Sequence, residues 1–199
     1  PGTYEKGKFD IAGFAVGIVD KKKILNNSKI KKNNLILAIP SSGLHSNGFS
    51  LVRNIIKKKK INIFKNKFLK KELIKPTKIY VKEILDLIDR KLINGCANIT
   101  GGGLSDNIKR VIPKNYFAEI DLNKIKPLKI FRWLKDQNIE DDEMLRTFNC
   151  GVGFCIIIEP KNLNKVNKYF NKSYRPYIIG KISKGQNKVK LNGKINWFK

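Results

Sequence analysis

Short apolar runs separated by lysine- and asparagine-rich turns run the length of the chain, and the period of each run predicts an element. Residues 11–20 (IAGFAVGIVD) are apolar and partly alternating, which predicts a strand, with Asn26 and Asn27 in the turn region that follows. Residues 35–39 (LILAI) predict a short buried strand ending at Pro40. Phe49, Val52, Ile55 and Ile56 recur at helical spacing and predict a helix to about Lys59. Pro76 and Thr77 open the next helix, with Thr77 as N-cap and an apolar face of Tyr80, Ile84, Leu87 and Ile88. A strand over 96–100 leads through three glycines to a helix marked by Leu104, Ile108 and Val111 and stopped by Pro113. The pattern then predicts a strand over 116–122, helices over 130–136 and 141–148, and a strongly apolar strand over 151–158. A polar helix over 161–170, a strand over 177–182 and a weak last strand over 189–191 complete the chain.

Strands alternating with helices predict an α/β or α+β layer structure: one central mixed sheet with helices packed on it. No internal repeat or linker divides the sequence, so residues 1–199 are expected to form a single domain with a weakly patterned tail over 184–199.

Composition changes this picture in three places. The longest apolar stretch, residues 11–19, has nine residues including two glycines, about half of the roughly 20 needed to span a bilayer, so no membrane helix is expected. No signal sequence opens the chain, which begins at Pro1 without a methionine and reads as cut from something longer. The net charge of +26 invites a nucleic-acid reading. Yet only six of the 42 basic residues are arginine, and lysine, asparagine and isoleucine, all in excess, share A/T-rich codons. The lysines are also scattered, so a solvated lysine coat is expected and a specific nucleic-acid partner is not. Three cysteines without a C-x-x-C pair argue against a disulfide framework or a zinc site and suit a reducing cytosol. The single His45 cannot build a histidine-rich metal site.

The candidate chemistry sits at two strand–loop–helix junctions. In the first, residues 40–50 (PSSGLHSNGFS), Gly43 and Gly48 have P-loop spacing, but Phe49 stands where the P-loop lysine belongs. What survives is a helix N-terminus whose free amides and dipole favour an anion. Ser41, Ser42, Ser46 and Asn47 add polar groups, and His45 is able to exchange a proton near neutral pH. A plain helix cap by Ser46 or Asn47 is the alternative. The second junction, residues 100–107 (TGGGLSDN), places Gly101, Gly102 and Gly103 where the backbone can closely approach a ligand; the alternative is a tight turn. Two such loops after two buried strands point to an anionic ligand, as at the strand carboxyl ends of open sheets.

Other groups are weaker candidates. Residues 140–143 (EDDE) offer oxygen ligands for Mg²⁺, or simply complement a helix dipole. Arg146 suits a bidentate phosphate clamp or a helix-end contact, and Asn149 lies close by in sequence. Cys150 and Cys155 have no histidine near them in sequence and read as core thiols.

These residues carry a family resemblance. Residues 1–4 (PGTY), 9–14 (FDIAGF) and 16–17, then 41–53 (SSGLHSNGFSLVR), 75–81 (KPTKIYV), 100–113 (TGGGLSDNIKRVIP) and 143–153 (EMLRTFNCGVG), resemble the ordered blocks of the aminoimidazole ribonucleotide synthetase (phosphoribosylformylglycinamidine cyclo-ligase) family. The resemblance runs to about Ile182; Lys109 replaces a family proline and Leu145 a family aromatic residue.

The resemblance implies a PurM-like C-terminal domain and the ATP-dependent closure of formylglycinamidine ribonucleotide to aminoimidazole ribonucleotide in de novo purine (IMP) biosynthesis. It implies that an N-terminal half, not contained in this chain, supplies most ATP and Mg²⁺ ligands and most of a homodimer interface. The fragment alone is then expected to be inactive and, as part of the enzyme, cytoplasmic. It further implies that Ser46, Asn47, Gly48, Gly101, Gly102, Gly103 and Asn107 hold substrate or phosphate, with Arg146 and Asn149 secondary and His45 as the proton-transfer candidate. The competing functions are another ATP-using enzyme of the same architecture and a basic nucleic-acid-binding module, whose binding would fall steeply with salt.

Overall fold

The computed structural model describes residues 13–198. Its strands are β1 (Leu35–Pro40), β2 (Gly95–Asn98), β3 (Tyr116–Asp121), β4 (Val152–Ile158), β5 (Tyr177–Lys184) and β6 (Val189–Asn192). Among the described residues they form one sheet in the order β2-β4-β1-β5-β3-β6. Every adjacent pair is antiparallel except β3 with β6, so the sheet is mixed, as the sequence pattern predicts.

Period-two alternation builds a core on each face of the sheet. Ile36 and Ala38 of β1, with Cys155 and Ile157 of β4, enter one cluster; Leu37 and Ile39, with Ile156 and Ile158, enter the other. The first face is covered by α1 (Phe49–Lys58), α2 (Lys67–Leu73), α4 (Gly103–Lys109), α5 (Lys129–Lys135) and α6 (Asp141–Thr147). The second is covered by α3 (Val81–Asp89) and α7 (Leu163–Asn167). Helices this short do not persist alone in water; burial holds them. Val166 anchors α7 and Leu87 anchors α3, each fully buried and worth about 1.5–3 kcal/mol.

Three expectations are corrected. Residues 13–20 form no strand, and Ile11 and Ala12 lie outside the described residues. A strand needs a hydrogen-bonded neighbour, and this stretch pairs with none of the six, leaving Phe14 at 94% and Ile18 at 101% exposure. Thr77 caps no helix: residues 75–80 are irregular, and α3 begins at Val81 after Tyr80. The lysine-rich stretch at 67–73 is helical, with the Asn66 side chain accepting from the Leu69 amide at 2.9 Å and Leu69 fully buried. Among the described residues no helix is long and apolar enough to cross a membrane.

Candidate functional site

The two glycine junctions meet because of the sheet's register. β1 and β2 each run antiparallel to β4, which lies between them, so their carboxyl ends point the same way, roughly 10 Å apart. The convergence thus comes from two like-directed strands flanking one that runs oppositely, not from a parallel sheet. The start of β4 holds both stems: the Ser41 amide donates to the Gly151 carbonyl at 2.9 Å, and the Ile99 amide donates to the Gly153 carbonyl at 3.0 Å.

Each turn ends in a left-handed glycine that opens a helix, Gly48 (φ +78°) before α1 and Gly102 (φ +89°) before α4. A Cβ on Gly48 would run into the buried Phe148 ring, and one on Gly103 would run into the Leu145 carbonyl. Both turns therefore rest on the end of α6. They also face each other, since a Cβ on Gly101 would lie 3.9 Å from Asn47 Oδ1.

The candidate residues divide into an outer and an inner set. Ser46 and Gly101 are exposed, and Asn47, Gly48 and Gly102 are half-buried; these line the junction. His45, Gly103, Asn107 and Asn149 are buried and spend their polar groups on the chain itself. The Asn107 amide donates to the carbonyls of Gly103 (2.7 Å), Gly101 (3.2 Å) and Thr100 (3.3 Å), which pins the second turn. Asn149 donates to the carbonyls of Gly43 (3.0 Å) and Leu44 (3.2 Å) and accepts from the Gly151 amide at 2.8 Å, which pins the first. His45 Nε2 accepts from the Ser42 amide at 3.2 Å, so the hydrogen-bond network assigns the ring proton to Nδ1. Burial holds the His45 pKa below its ordinary value, leaving the ring neutral at pH 7. Arg146 stands apart, exposed on α6 and paired with Glu143.

A third segment borders the site, and the sequence pattern misassigned it to a helix. Ser42 Oγ donates to the Pro76 carbonyl at 2.7 Å and accepts from the Lys78 amide at 3.1 Å, while Ser46 Oγ lies 3.4 Å from Thr77 Oγ1. Tyr80 donates its hydroxyl to the Pro40 carbonyl at 2.8 Å, and burial pushes its phenol pKa up. Lys78 reaches Glu83 at 2.9 Å and lies 4.7 Å from the Tyr174 ring centroid. The Pro-Thr pair at 76–77 was the available signal, read as a helix start instead of a strap.

Neither buried cysteine is poised as a nucleophile. Cys150 and Cys155 are buried thiols whose pKa values burial pushes up, and Cys150 donates to the Met144 carbonyl at 3.3 Å. The acids at 141 and 143 are engaged within the fold. Asp141 is taken by Lys135 (2.6 Å) and Trp197 Nε1 (3.0 Å), and Glu143 is taken by Arg146 and Thr147. Burial raises the Asp141 pKa, but the hydrogen bonds from Lys135 and Trp197 outweigh it and leave the carboxyl below its usual value. Among the described residues no group of three or more His, Cys, Asp and Glu side chains is placed to hold a metal ion. Amides and hydroxyls on rigid turns can bind and orient a polar, phosphorylated molecule.

The sequence profile of the AIR synthase related protein C-terminal domain matches residues 31–192. The chain belongs to this family. Relatives of this AIR synthase-related domain agree. The phosphoribosylformylglycinamidine cyclo-ligase of Thermodesulfovibrio yellowstonii is 43% identical over 193 residues, covering 93% of this chain and 56% of that protein. The cyclo-ligase of Alkaliphilus oremlandii is 40% identical over 199 residues, covering 96% of this chain and 58% of that protein. The AIR synthase-related chain thus spans a little over half the length of these relatives. Among solved structures, a thiamine-monophosphate kinase from Stenotrophomonas maltophilia aligns with a TM-score of 0.58 at 16% identity, over 88% of this chain and 55% of that one. Phosphoribosylformylglycinamidine synthase II from Thermotoga maritima aligns with a TM-score of 0.53 at 12% identity, over 89% and 27%. These two share the fold.

Proposed function

We propose that this chain is the C-terminal part of a cyclo-ligase that converts formylglycinamidine ribonucleotide and ATP to aminoimidazole ribonucleotide, ADP and phosphate in purine biosynthesis. The observation that carries the reading is the meeting of Asn47 with Gly101 across two glycine turns, in a chain about 40% identical to proteins named as cyclo-ligases. The chemical obstacle in that reaction is a formyl amide oxygen that leaves poorly. Phosphorylation makes it a leaving group, and the amidine nitrogen of the same molecule then closes the ring and expels phosphate. Such a step depends on holding both ends of one flexible molecule and on stabilising phosphoryl charge.

In this reading Ser46, Asn47, Gly48, Gly101 and Gly102 contact the substrate. His45, Gly103, Asn107 and Asn149 are positioning residues that keep the turns in place, while Arg146, paired with Glu143 on α6, stays a secondary candidate. His45 is buried with its Nε2 occupied, which supports an ordering role over that of general base. In this reading most of the ATP and Mg²⁺ ligands and most of the homodimer contacts belong to the part of the enzyme outside this chain. The three free cysteines, two of them buried, suit the reducing cytoplasm.

The test is to fuse the chain to the portion of the Thermodesulfovibrio relative that it does not span and to assay ATP-dependent cyclisation. Turnover is expected, with Asn47→Ala reducing kcat/KM at least about tenfold, as loss of a transition-state hydrogen bond does. Wild-type turnover in Asn47→Ala, Ser46→Ala and Gly101→Val alike would refute the site. Product analysis separates this reaction from that of a kinase sharing the fold.

A further inference from the structure

A second recess lies at the same end of the sheet, on the β5 side of β1, away from the glycine turns. It has a volume of about 410 Å³, within the roughly 300–1,000 Å³ of small-molecule sites. Three cations line it (Lys124, Lys126 and Arg132), and Tyr177, Pro127 and Ile178 give it an apolar wall. No acid is among its lining residues, and of its three cations Lys124 is paired with Asp121 at 3.9 Å.

Arg132 is the informative residue. Its Nε is buried and has no hydrogen-bond partner, and its guanidinium makes no ion pair among the described residues. Buried donors are normally satisfied, so Arg132 both lines the recess and carries a guanidinium whose donors and charge the described residues leave unmatched. Drift towards lysine, which accounts for most of the charge of this chain, does not account for an arginine here. Arginine offers a planar fork that matches a phosphate bidentately. Lys126, which also has no carboxylate partner among the described residues, sits 4.6 Å from the Tyr177 ring centroid. Cation and aromatic face thus occupy one wall. Asn196 is also among the lining residues.

We propose that this recess binds a phosphomonoester carrying a flat ring, of the nucleoside 5′-monophosphate class. Arg132 and Lys126 take the phosphate, and the ring lies against Tyr177 and Pro127. Two cations match a phosphate dianion better than a single carboxylate, and the aromatic wall favours a ring over inorganic phosphate alone. The recess shares no lining residue with the glycine turns, so it stands or falls independently of the proposed reaction.

The test is calorimetric titration of the 199-residue chain with AMP, adenosine and inorganic phosphate. One AMP per chain is expected, with adenosine and phosphate each at least about tenfold weaker. Arg132→Lys preserves the net charge of +26 and so leaves any diffuse attraction to the lysine coat intact. It should nevertheless weaken AMP at least about tenfold, because the bidentate fork is lost. Lys126→Met, at an exposed loop position, should weaken AMP without altering the thermal midpoint and covers the case in which Arg132→Lys disturbs folding. Asn47→Ala should leave AMP binding unchanged. AMP affinity unaltered in both Arg132→Lys and Lys126→Met, no detectable AMP binding, or loss of AMP binding in Asn47→Ala would each overturn the proposal.

Discussion

Replacing Gly48 with alanine tests whether the first turn is built on Phe148. At φ +78° an alanine meets the left-handed penalty of about 1–2 kcal/mol. Its methyl would also run into the ring of Phe148, which is 1% exposed and packs edge-to-face on the equally buried Phe131 at 6.1 Å. Displacing a ring held on all sides adds about 1–3 kcal/mol of overpacking. The total of about 2–5 kcal/mol is a large share of the 5–15 kcal/mol that usually stabilises a domain. For a chain of this length it corresponds to a fall of about 5–20 °C in Tm. Gly101→Ala is the matched control. Its Cβ meets only Asn47 Oδ1, at the ordinary contact distance of 3.9 Å, so stability should stay within about 0.5 kcal/mol of wild type. Urea unfolding of both variants, followed by tryptophan fluorescence from Trp133 and Trp197, gives the comparison. Equal stabilities would refute the reasoning, because the turn would then not depend on the Phe148 ring.

Three further outcomes rest on the same structure. Asn149→Ala should destabilise by about 2–5 kcal/mol in chemical denaturation, because it strips partners from the Gly43 and Leu44 carbonyls and the Gly151 amide together. The pH dependence of stability should carry a His45 component. Burial lowers the folded-state pKa, so that contribution is complete above the ordinary value of 6.5 and is lost as pH falls below it. In His45→Gln, unfolding free energies measured between pH ~7.5 and ~5 should lack that decline; an unchanged decline contradicts the assignment. Phe14→Ser and Ile18→Ser should each shift stability by no more than about 0.5 kcal/mol while improving solubility, since both side chains are already exposed in the isolated chain.

The elements that the sequence made legible are those whose own packing creates the pattern. β1 and β4 read as nearly unbroken apolar runs because each is buried on both faces by different helices, and the β1 run ends at the first glycine turn while β4 begins beside both turns. Less legible was anything decided by distant partners. Residues 11–20 have a strand's pattern, yet residues 13–20 find no neighbouring strand among the described residues. α2 hides among lysines because its only apolar side chains are Phe68, Leu69 and Leu73, of which Leu69 alone is fully covered, and its other buried side chain is the charged Glu72. In the candidate site, glycine spacing picked out two turns that the fold brings together, but could not separate residues that face the opening from those that brace the turns. Asn107 and Asn149 carry the same polar groups as Asn47, and only the folded chain shows that two of the three turn inward onto backbone carbonyls. The strap at 75–78 was misread because its Ser42 contacts span 34 and 36 residues.

The central claim is that the turns after β1 and β2 receive one phosphorylated molecule between them. Amide chemical shifts of this chain, titrated with formylglycinamidine ribonucleotide, test it most directly. The account predicts that the signals of Asn47, Gly48, Gly101 and Gly102 move together along one binding curve. Movement of only one turn, or of neither while signals elsewhere respond, contradicts it.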